Sequence, residues 1–390
     1  MQYRLNQDDL TLGRKILELN WGLVFLLGAV ASVGFAMLYA AAPADPNVPN
    51  SVGSFDPWAK RQMIRFVGGL GIMFVVALVD IRLWLKYSYI LYFIALGLLV
   101  GVEVKGSIGM GAQRWISLGF FQLQPSELMK ITMVLALARY FHGRNLEEIQ
   151  RIPYLFIPLF MVATPSVLIL RQPDLGTTLM LVLGSGVIFF LAGVRLWKFA
   201  FVGVGAIAAI PVAWQFLHTY QKKRVLTFLN PENDPLGAGY HIMQSKIAFG
   251  SGGMTGKGFG QGTQSHLNFL PEKQTDFIFT MLAEEQGLIG GLAVMGLYIL
   301  LLIYGYAIAM RARSQFGRLV ALGVTTSFFL YIFINIGMVM GLLPVVGVPL
   351  PLVSYGGTVM ISILFSFGLL LSVSIHRDVI VSRKGDYEEL

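Results

Sequence analysis

Cysteine is absent from the 390 residues, which removes disulfide frameworks, thiol nucleophiles and cysteine-ligated zinc or iron–sulfur centres. Charge is nearly as scarce: Asp, Glu, Lys and Arg make up 13% of the chain, against about 25% in a typical soluble domain. With 55% hydrophobic residues and a mean hydropathy of +0.68, too few polar side chains remain to cover a folded chain of this size in water. Too many apolar ones are present for a disordered chain. A soluble nucleotide-binding enzyme and a secreted domain are poor fits, and the composition reads as an integral membrane protein. Strand-type alternation is missing, which argues against a transmembrane barrel. No internal repeat or low-complexity tract supports an inverted-repeat transporter.

What is present is a series of apolar stretches, each near the roughly 20 residues needed to cross about 30 Å of hydrocarbon as a helix. Ten are expected, near 21–42, 63–79, 87–104, 126–141, 153–170, 176–194, 198–217, 287–309, 318–340 and 358–375. The fold class is therefore an all-α polytopic membrane protein of about ten transmembrane helices, with a large extracytoplasmic loop between the seventh and the eighth. Residues 1–390 read as a single transmembrane domain. Within it, 1–20 form a cytoplasmic and interfacial N-terminus, 219–275 the long loop and 376–390 a cytoplasmic tail. A signal peptide fits poorly, because Asp8, Asp9 and Glu18 precede an apolar run longer than a signal core. The stretch Gly13 to Leu19 reads as the start of an interfacial helix.

Lysine and arginine set the orientation. With both termini in the cytoplasm, every inner segment is basic, from Arg14 and Lys15 through Arg82, Lys86, Arg139, Arg195, Lys198, Arg311 and Arg318 to Arg377. The first outer loop, 41–58, carries two Asp and no base. The formal charge of +8 is thus mostly a topology signal, and a nucleic-acid partner is not expected. All six tryptophans fall at or near expected membrane interfaces.

Charged groups inside or at the edge of the membrane are the informative ones, since each costs roughly 2.5–3.5 kcal/mol at a helix centre on insertion scales. Glu127 and Lys130 in Gln124-Pro-Ser-Glu-Leu-Met-Lys130 stand three apart on one helical face, preceded by Arg114 and Trp115. They form either an outward-opening polar stripe or a structural ion pair. Arg171 and Asp174 in Arg171-Gln-Pro-Asp-Leu-Gly176 either pair across a proline turn or contact a ligand. Asp276, at the end of the long loop and flanked by Phe277 and Phe279, is partly desolvated and suited to act as a general base. The bland alternative is a helix N-terminal carboxylate. If the helix there is continuous, Thr280 shares the face of Asp276, Glu284 lies about 80° away and Glu285 is opposite.

Two tempting motifs fail. Ser251 to Gly258 lacks the first glycine and the Ser/Thr of a phosphate-binding loop, and the histidines have no metal-ligand spacing. The glycines of 250–262 instead suit tight turns near a bulky ligand. Asn335 and the run Gly347 to Thr358, which includes Ser354, point to an irregular approach to the last span that lines a cavity or is covered by protein. Arg61, Arg65, Arg114, Lys130, Arg171, Arg224, Lys246 and Lys257 are the basic residues assigned to the outer cavity. Together they suit an anionic lipid headgroup, pyrophosphate in particular.

At these residues the sequence resembles the SEDS family of peptidoglycan polymerases. It carries G-x-x-R-W (Gly111, Arg114, Trp115), Q-P-S-E-x-x-K (Gln124 to Lys130), R-Q-P-D-x-G (Arg171 to Gly176), L-P-E-x-x-T-D-F (Leu270 to Phe277) and P-L-x-S-Y-G-G (Pro351 to Gly357). Five motifs in the family's order cover nearly the whole chain. The run Gly258 to His266 and the run Pro344 to Pro351 are closer to the elongation branch than to the division branch. The resemblance implies a glycosyltransferase that polymerises lipid II outside the bacterial cytoplasmic membrane, together with a class B penicillin-binding protein and the elongation machinery. By position, Asp276 would be the catalytic base, and Trp115, Glu127 and Lys130 would share its cavity. Charge neutralisation falls to Arg and Lys; no cofactor is certain, and Mg2+ or Mn2+ are the candidate ions. A lipid II flippase is the competing class, for which a polar route through to the cytoplasmic side would be needed; a non-enzymatic scaffold is a third.

Overall fold

The computed structural model describes residues 12–43, 52–109, 112–117, 119, 122–216, 222, 226–230, 238–263, 272–379 and 381. A helix overlaps each of the ten expected stretches, with most ends differing by a few residues. After the short exposed helix α1 (Leu12–Leu17) come α2 (Trp21–Ala41), α3 (Ala59–Leu78), α4 (Ile81–Lys105), α5 (Pro125–His142) and the single turn α6 (Leu146–Ile149). They are followed by α7 (Phe156–Arg171), α8 (Leu175–Leu191), α9 (Leu196–Phe216), α10 (Ala238–Ser251), α11 (Ile278–Arg311), α12 (Gln315–Val339) and α13 (Gly357–Ile375). Among the described residues, seven helices are long and apolar enough to cross a membrane. Helices α8 and α9 are apolar over shorter lengths, and α5 carries Glu127, Lys130 and Arg139.

Side-chain caps explain where several helices begin. Asn20 Oδ1 accepts from Leu23 N at the start of α2, Asp80 from Arg82 N at α4, Asp174 from Thr177 N at α8 and Ser314 from Gly317 N at α12. Each satisfies one amide that the helix itself cannot. Pro125 opens α5 at a position where its missing N–H is harmless.

The core lies around α5, α12 and α13. Nearly every residue of α5 is buried, and α13 packs along α3. Large apolar side chains such as Val67, Phe93, Phe201 and Leu292 are exposed on the outer helices, as a lipid-facing surface requires.

Three expectations change. The chain is not purely helical: the segment after α4 folds into a three-stranded antiparallel sheet of β1 (Ser107–Gly109), β2 (Ala112–Ser117) and β3 (Gln122–Leu123). Ser107 faces Trp115, and Ser117 faces Gln122. Strands this short carry too few residues for alternation to register. The long loop is partly ordered into α10, which packs on α11; 217–221, 223–225, 231–237 and 264–271 lie outside the described residues. The eighth span begins nine residues before its expected start at 287, at Ile278, and its helix is broken at Gly287 (φ 67°, ψ −163°). Its first turns were hidden because Glu284 and Glu285 interrupt the apolar pattern.

Candidate active site

Asp276 is not on a helix. It sits in the turn 272–277 that precedes α11, so the face relation to Thr280, Glu284 and Glu285 that a continuous helix implies does not hold. The turn is built from its own residues first. Glu272 adopts the left-handed region (φ 54°), unusual for a side chain of this size. It accepts from Thr275 N at 3.0 Å and, through its carboxylate, from Thr275 Oγ1 at 3.0 Å and Gln274 Nε2 at 3.3 Å.

Three remote groups then hold the turn. Ser354 Oγ donates to Thr275 O at 2.6 Å and accepts from Leu350 N at 2.7 Å. Tyr355 N donates to Gln274 O at 2.8 Å. Asn335 Nδ2 donates both to Asp276 O at 2.9 Å and to Val348 O at 2.7 Å. Gly347, with φ 73°, lies so close that a Cβ there would be 3.5 Å from Asp276 Oδ2. The Asp276 backbone is thus fixed while its residue stays partly exposed, a suitable state for a group that must reach a ligand.

Arg65 joins this site from α3. Its guanidinium stacks 4.7 Å above the Tyr355 ring, and its buried Nη1 has no hydrogen-bond partner among the described residues. Gln62, one turn earlier, donates to Ser354 O at 2.9 Å. Lys273 is half-buried beside Asp276's turn, and desolvation holds its amine below the usual lysine value against the opposing pull of Glu285.

Glu127 and Lys130 form a separate, fully engaged cluster. Lys130 Nζ donates to Glu127 Oε1 at 2.7 Å and to the Tyr331 hydroxyl, and it lies 4.3 Å from the Tyr331 ring centroid. Glu127 Oε2 accepts from Tyr331 Oη at 2.5 Å and Ser362 Oγ at 3.1 Å. All four side chains are buried. A cavity of about 30 Å3 adjoins them, lined further by Ser327 and Ser366. The pair joins α5, α12 and α13 rather than presenting an open stripe.

Arg114 and Asp174, expected separately, meet. Arg114 donates to Gln172 O at 3.0 Å and Pro173 O at 2.5 Å and approaches Asp174 Oδ2 at 3.7 Å. Asp174 is buried at the start of α8 and also takes Gln124 Nε2 at 3.5 Å. Three of the five motifs thereby meet, and Asp174 pairs with Arg114 instead of with Arg171. Trp115 is half-buried in β2, where its carbonyl accepts from Ser107 Oγ at 3.1 Å.

The remaining bases are dispersed. Lys257 pairs with the buried Glu284 at 2.8 Å, and Lys246 lies over Gly341. Arg61 and Arg171 are exposed, and Arg224 lies outside the described residues. The glycine loop around Lys257 packs, in its described part, against the break in α11. Leu288 N and Ile289 N, displaced from helical bonding by Gly287, donate to Gly253 O and Met254 O at 3.0 and 3.2 Å. Gly260 N donates to Glu285 Oε2 at 3.0 Å.

Sequence reasoning missed Tyr331, Ser362 and Gln62, and it quoted Glu272 within a motif without a role. Tyrosine and serine inside an apolar helix give no local signal, because each is as often satisfied by its own backbone. Among the described residues no group of three or more His, Asp or Glu could hold a metal ion.

The profile of the FtsW/RodA/SpoVE cell cycle proteins matches residues 20–379. The chain is 47% identical over 323 residues to the peptidoglycan glycosyltransferase MrdB of Escherichia coli K12, covering 82% of this chain and 86% of the relative. It is 38% identical over 356 residues to the stage V sporulation protein E of Bacillus subtilis, covering 90% and 96%. A solved peptidoglycan synthase complex, described as coordinating polymerization and crosslinking, contains a chain that superimposes with a TM-score of 0.78. That chain is 34% identical, and the match covers 92% of this chain and 98% of the other. The rod shape determining protein RodA of Thermus thermophilus superimposes with a TM-score of 0.69 at 31% identity, covering 92% and 97%. Motifs, fold and relatives agree, and the chain belongs to the FtsW/RodA/SpoVE family, the SEDS family of multi-pass membrane proteins.

Proposed function

We propose that the chain polymerises lipid II into β-1,4-linked glycan strands on the outer face of the bacterial cytoplasmic membrane during elongation, with Asp276 as general base. It is an inverting glycosyltransferase that crosses the membrane ten times with both termini in the cytoplasm, as the basic inner segments favour. Asp276 takes the proton from the 4-hydroxyl of the acceptor GlcNAc. That oxygen attacks C1 of the donor MurNAc, the glycosidic bond forms with inversion, and the bond to undecaprenyl pyrophosphate breaks.

The observation that carries the reading is the fixation of Asp276. Hydrogen bonds from Ser354, Tyr355 and Asn335 converge on residues 274–276 from two later segments of the chain. Such backbone fixation is how a base is kept within hydrogen-bond reach of its proton. Pyrophosphate is already a good leaving group, so the remaining requirement is charge neutralisation. Arg65, whose buried Nη1 has no partner among the described residues and whose guanidinium lies over Tyr355, is the best-prepared donor for it. A Mg2+ or Mn2+ ion, in this reading, would bind with the substrate's phosphates and supply further charge neutralisation, since among the described residues no cluster of three or more His, Asp or Glu could hold it.

A class B penicillin-binding protein is the proposed partner, supplying crosslinking and activating polymerisation. The test uses purified protein, lipid II and that partner. Asp276→Ala should abolish glycan chains while expression and partner binding are retained. Chains of normal length and yield from this variant would remove Asp276 from its role. Lipid translocation in liposomes without any polymer from the wild-type protein would favour a flippase instead.

A further inference from the structure

A second polar cavity lies at the opposite, basic end of the bundle, where the N-terminus of α2 meets the C-termini of α11 and α13. Its volume is about 100 Å3, several times the ~30 Å3 share of one water. Its polar lining is Asn20, Tyr304, Arg311, Ser374 and Arg377. Every one of these can donate a hydrogen bond, and among the described residues no acidic side chain lines the cavity.

Asn20 spends its Oδ1 on the Leu23 amide, which leaves its NH2 group as the end available to a ligand. Tyr304 approaches α2 so closely that a Cβ on Gly22 would stand 2.8 Å from its hydroxyl. Charge around the cavity is unbalanced. Arg313 and Arg377 share one carboxylate, Asp378, at 3.2 and 3.5 Å, and Arg311 adds a third guanidinium. Next to the lining residues in sequence, the same helices carry exposed apolar side chains: Trp21 after Asn20, Ile303 before Tyr304 and Met310 before Arg311. Two guanidiniums with no carboxylate beside them among the described lining residues favour an anion, and guanidinium pairs favour phosphate. A phosphate presented beside lipid-facing side chains is that of a phospholipid.

We propose that this cavity binds the phosphate of an anionic phospholipid, with Arg311 and Arg377 as its principal ligands, and that the site is independent of the glycosyltransferase centre.

The test is the lipid retained by the full-length protein from nanodiscs of phosphatidylcholine mixed with phosphatidylglycerol, read by native mass spectrometry. Wild-type protein should retain phosphatidylglycerol selectively. Arg311→Gln and Arg377→Gln should each weaken retention about fivefold, the contribution of one basic residue at an anionic surface, and the double variant more than tenfold. Ser374→Phe fills the cavity without changing charge and should weaken retention as strongly as the double variant. Arg195→Gln, at an exposed arginine bonded to Gln150, should leave it unchanged. Selectivity that survives the double arginine variant or Ser374→Phe would overturn the site. Stabilisation by inorganic phosphate in pure phosphatidylcholine, without any preference for phosphatidylglycerol, would assign the cavity to a free phosphate and overturn the lipid.

Discussion

Replacing Glu127 by Leu tests whether the Glu127–Lys130 pair is a structural joint. The variant leaves the Lys130 ammonium, 8% exposed, with Tyr331 as its one remaining side-chain partner among the described residues, and the Tyr331 hydroxyl without its Glu127 acceptor. Breaking a buried pair from one side costs about 3–5 kcal/mol, because the surviving charge is stranded. Lys130→Met strands the carboxylate instead; Tyr331 and Ser362 still donate to it, so the cost should fall at the lower end of that range. The double variant, Glu127→Leu with Lys130→Met, removes both charges and fills the space with apolar atoms. It should regain most of the loss, since replacing a buried pair by apolar side chains of similar volume is often neutral or better. A double-mutant cycle on unfolding in detergent, followed by tryptophan fluorescence, should therefore give a coupling of roughly 3 kcal/mol or more. Single variants as stable as wild type would show the charges to be solvated, and a double variant as damaged as the worse single would show that the pair is not a unit. Either result refutes the reasoning.

Asn335→Leu removes two donors, to Asp276 O and Val348 O, and should lower kcat for glycan synthesis by about 10- to 100-fold through displacement of the base, with KM for lipid II little changed. Gly287→Ala places a side chain at φ 67°, with its Cβ 2.4 Å from Gly256 N. It should prevent stable folding, whereas Gly296→Ala in the same helix, with open space around it, should be neutral or stabilising by up to ~1 kcal/mol; the yield of monodisperse protein and its thermal midpoint separate the two. Burial lowers the pKa of His376, against hydrogen bonding to Ser372 O and the charge of Asp80. Below the unfolded-state value of about 6.5 the unfolded chain takes up a proton that the folded chain resists. Stability should therefore be full above that pH and fall as pH drops through it, until the folded-state pKa is reached. His376→Gln should flatten the pH dependence of the thermal midpoint between pH 7.5 and 5.

Much of the helical order was legible along the chain. Apolar runs coincide with helices from Trp21 to Ile375, and Asn20, Asp80 and Asp174 mark helix starts by local chemistry. The motif residues were also visible as types, since a carboxylate or ammonium in so apolar a chain has few harmless explanations. Their partnerships were not. Arg114, read from the sequence as a cavity base, clasps the turn at Gln172 and Pro173. Lys257 was assigned to the same cavity and pairs with Glu284. Asp276 stands out along the chain as a carboxylate at the end of the long loop and is partly buried in the fold, yet the helical face argued for it does not exist. Glu272 turns the chain there through a conformation no propensity scale anticipates.

The sequence by itself determined that this is a multi-pass membrane protein and which side chains are expensive to keep in it. Both depend on transfer energies summed over about 20 neighbouring residues, and that sum needs no tertiary contact. Only the tertiary structure decided which of those side chains meet. Glu127 finds Tyr331 across 204 positions and Gln62 finds Ser354 across 292, distances over which composition and periodicity carry no pairing information. Burial then makes each such meeting consequential, because a polar group taken out of water must find its partner or bear the full cost of desolvation.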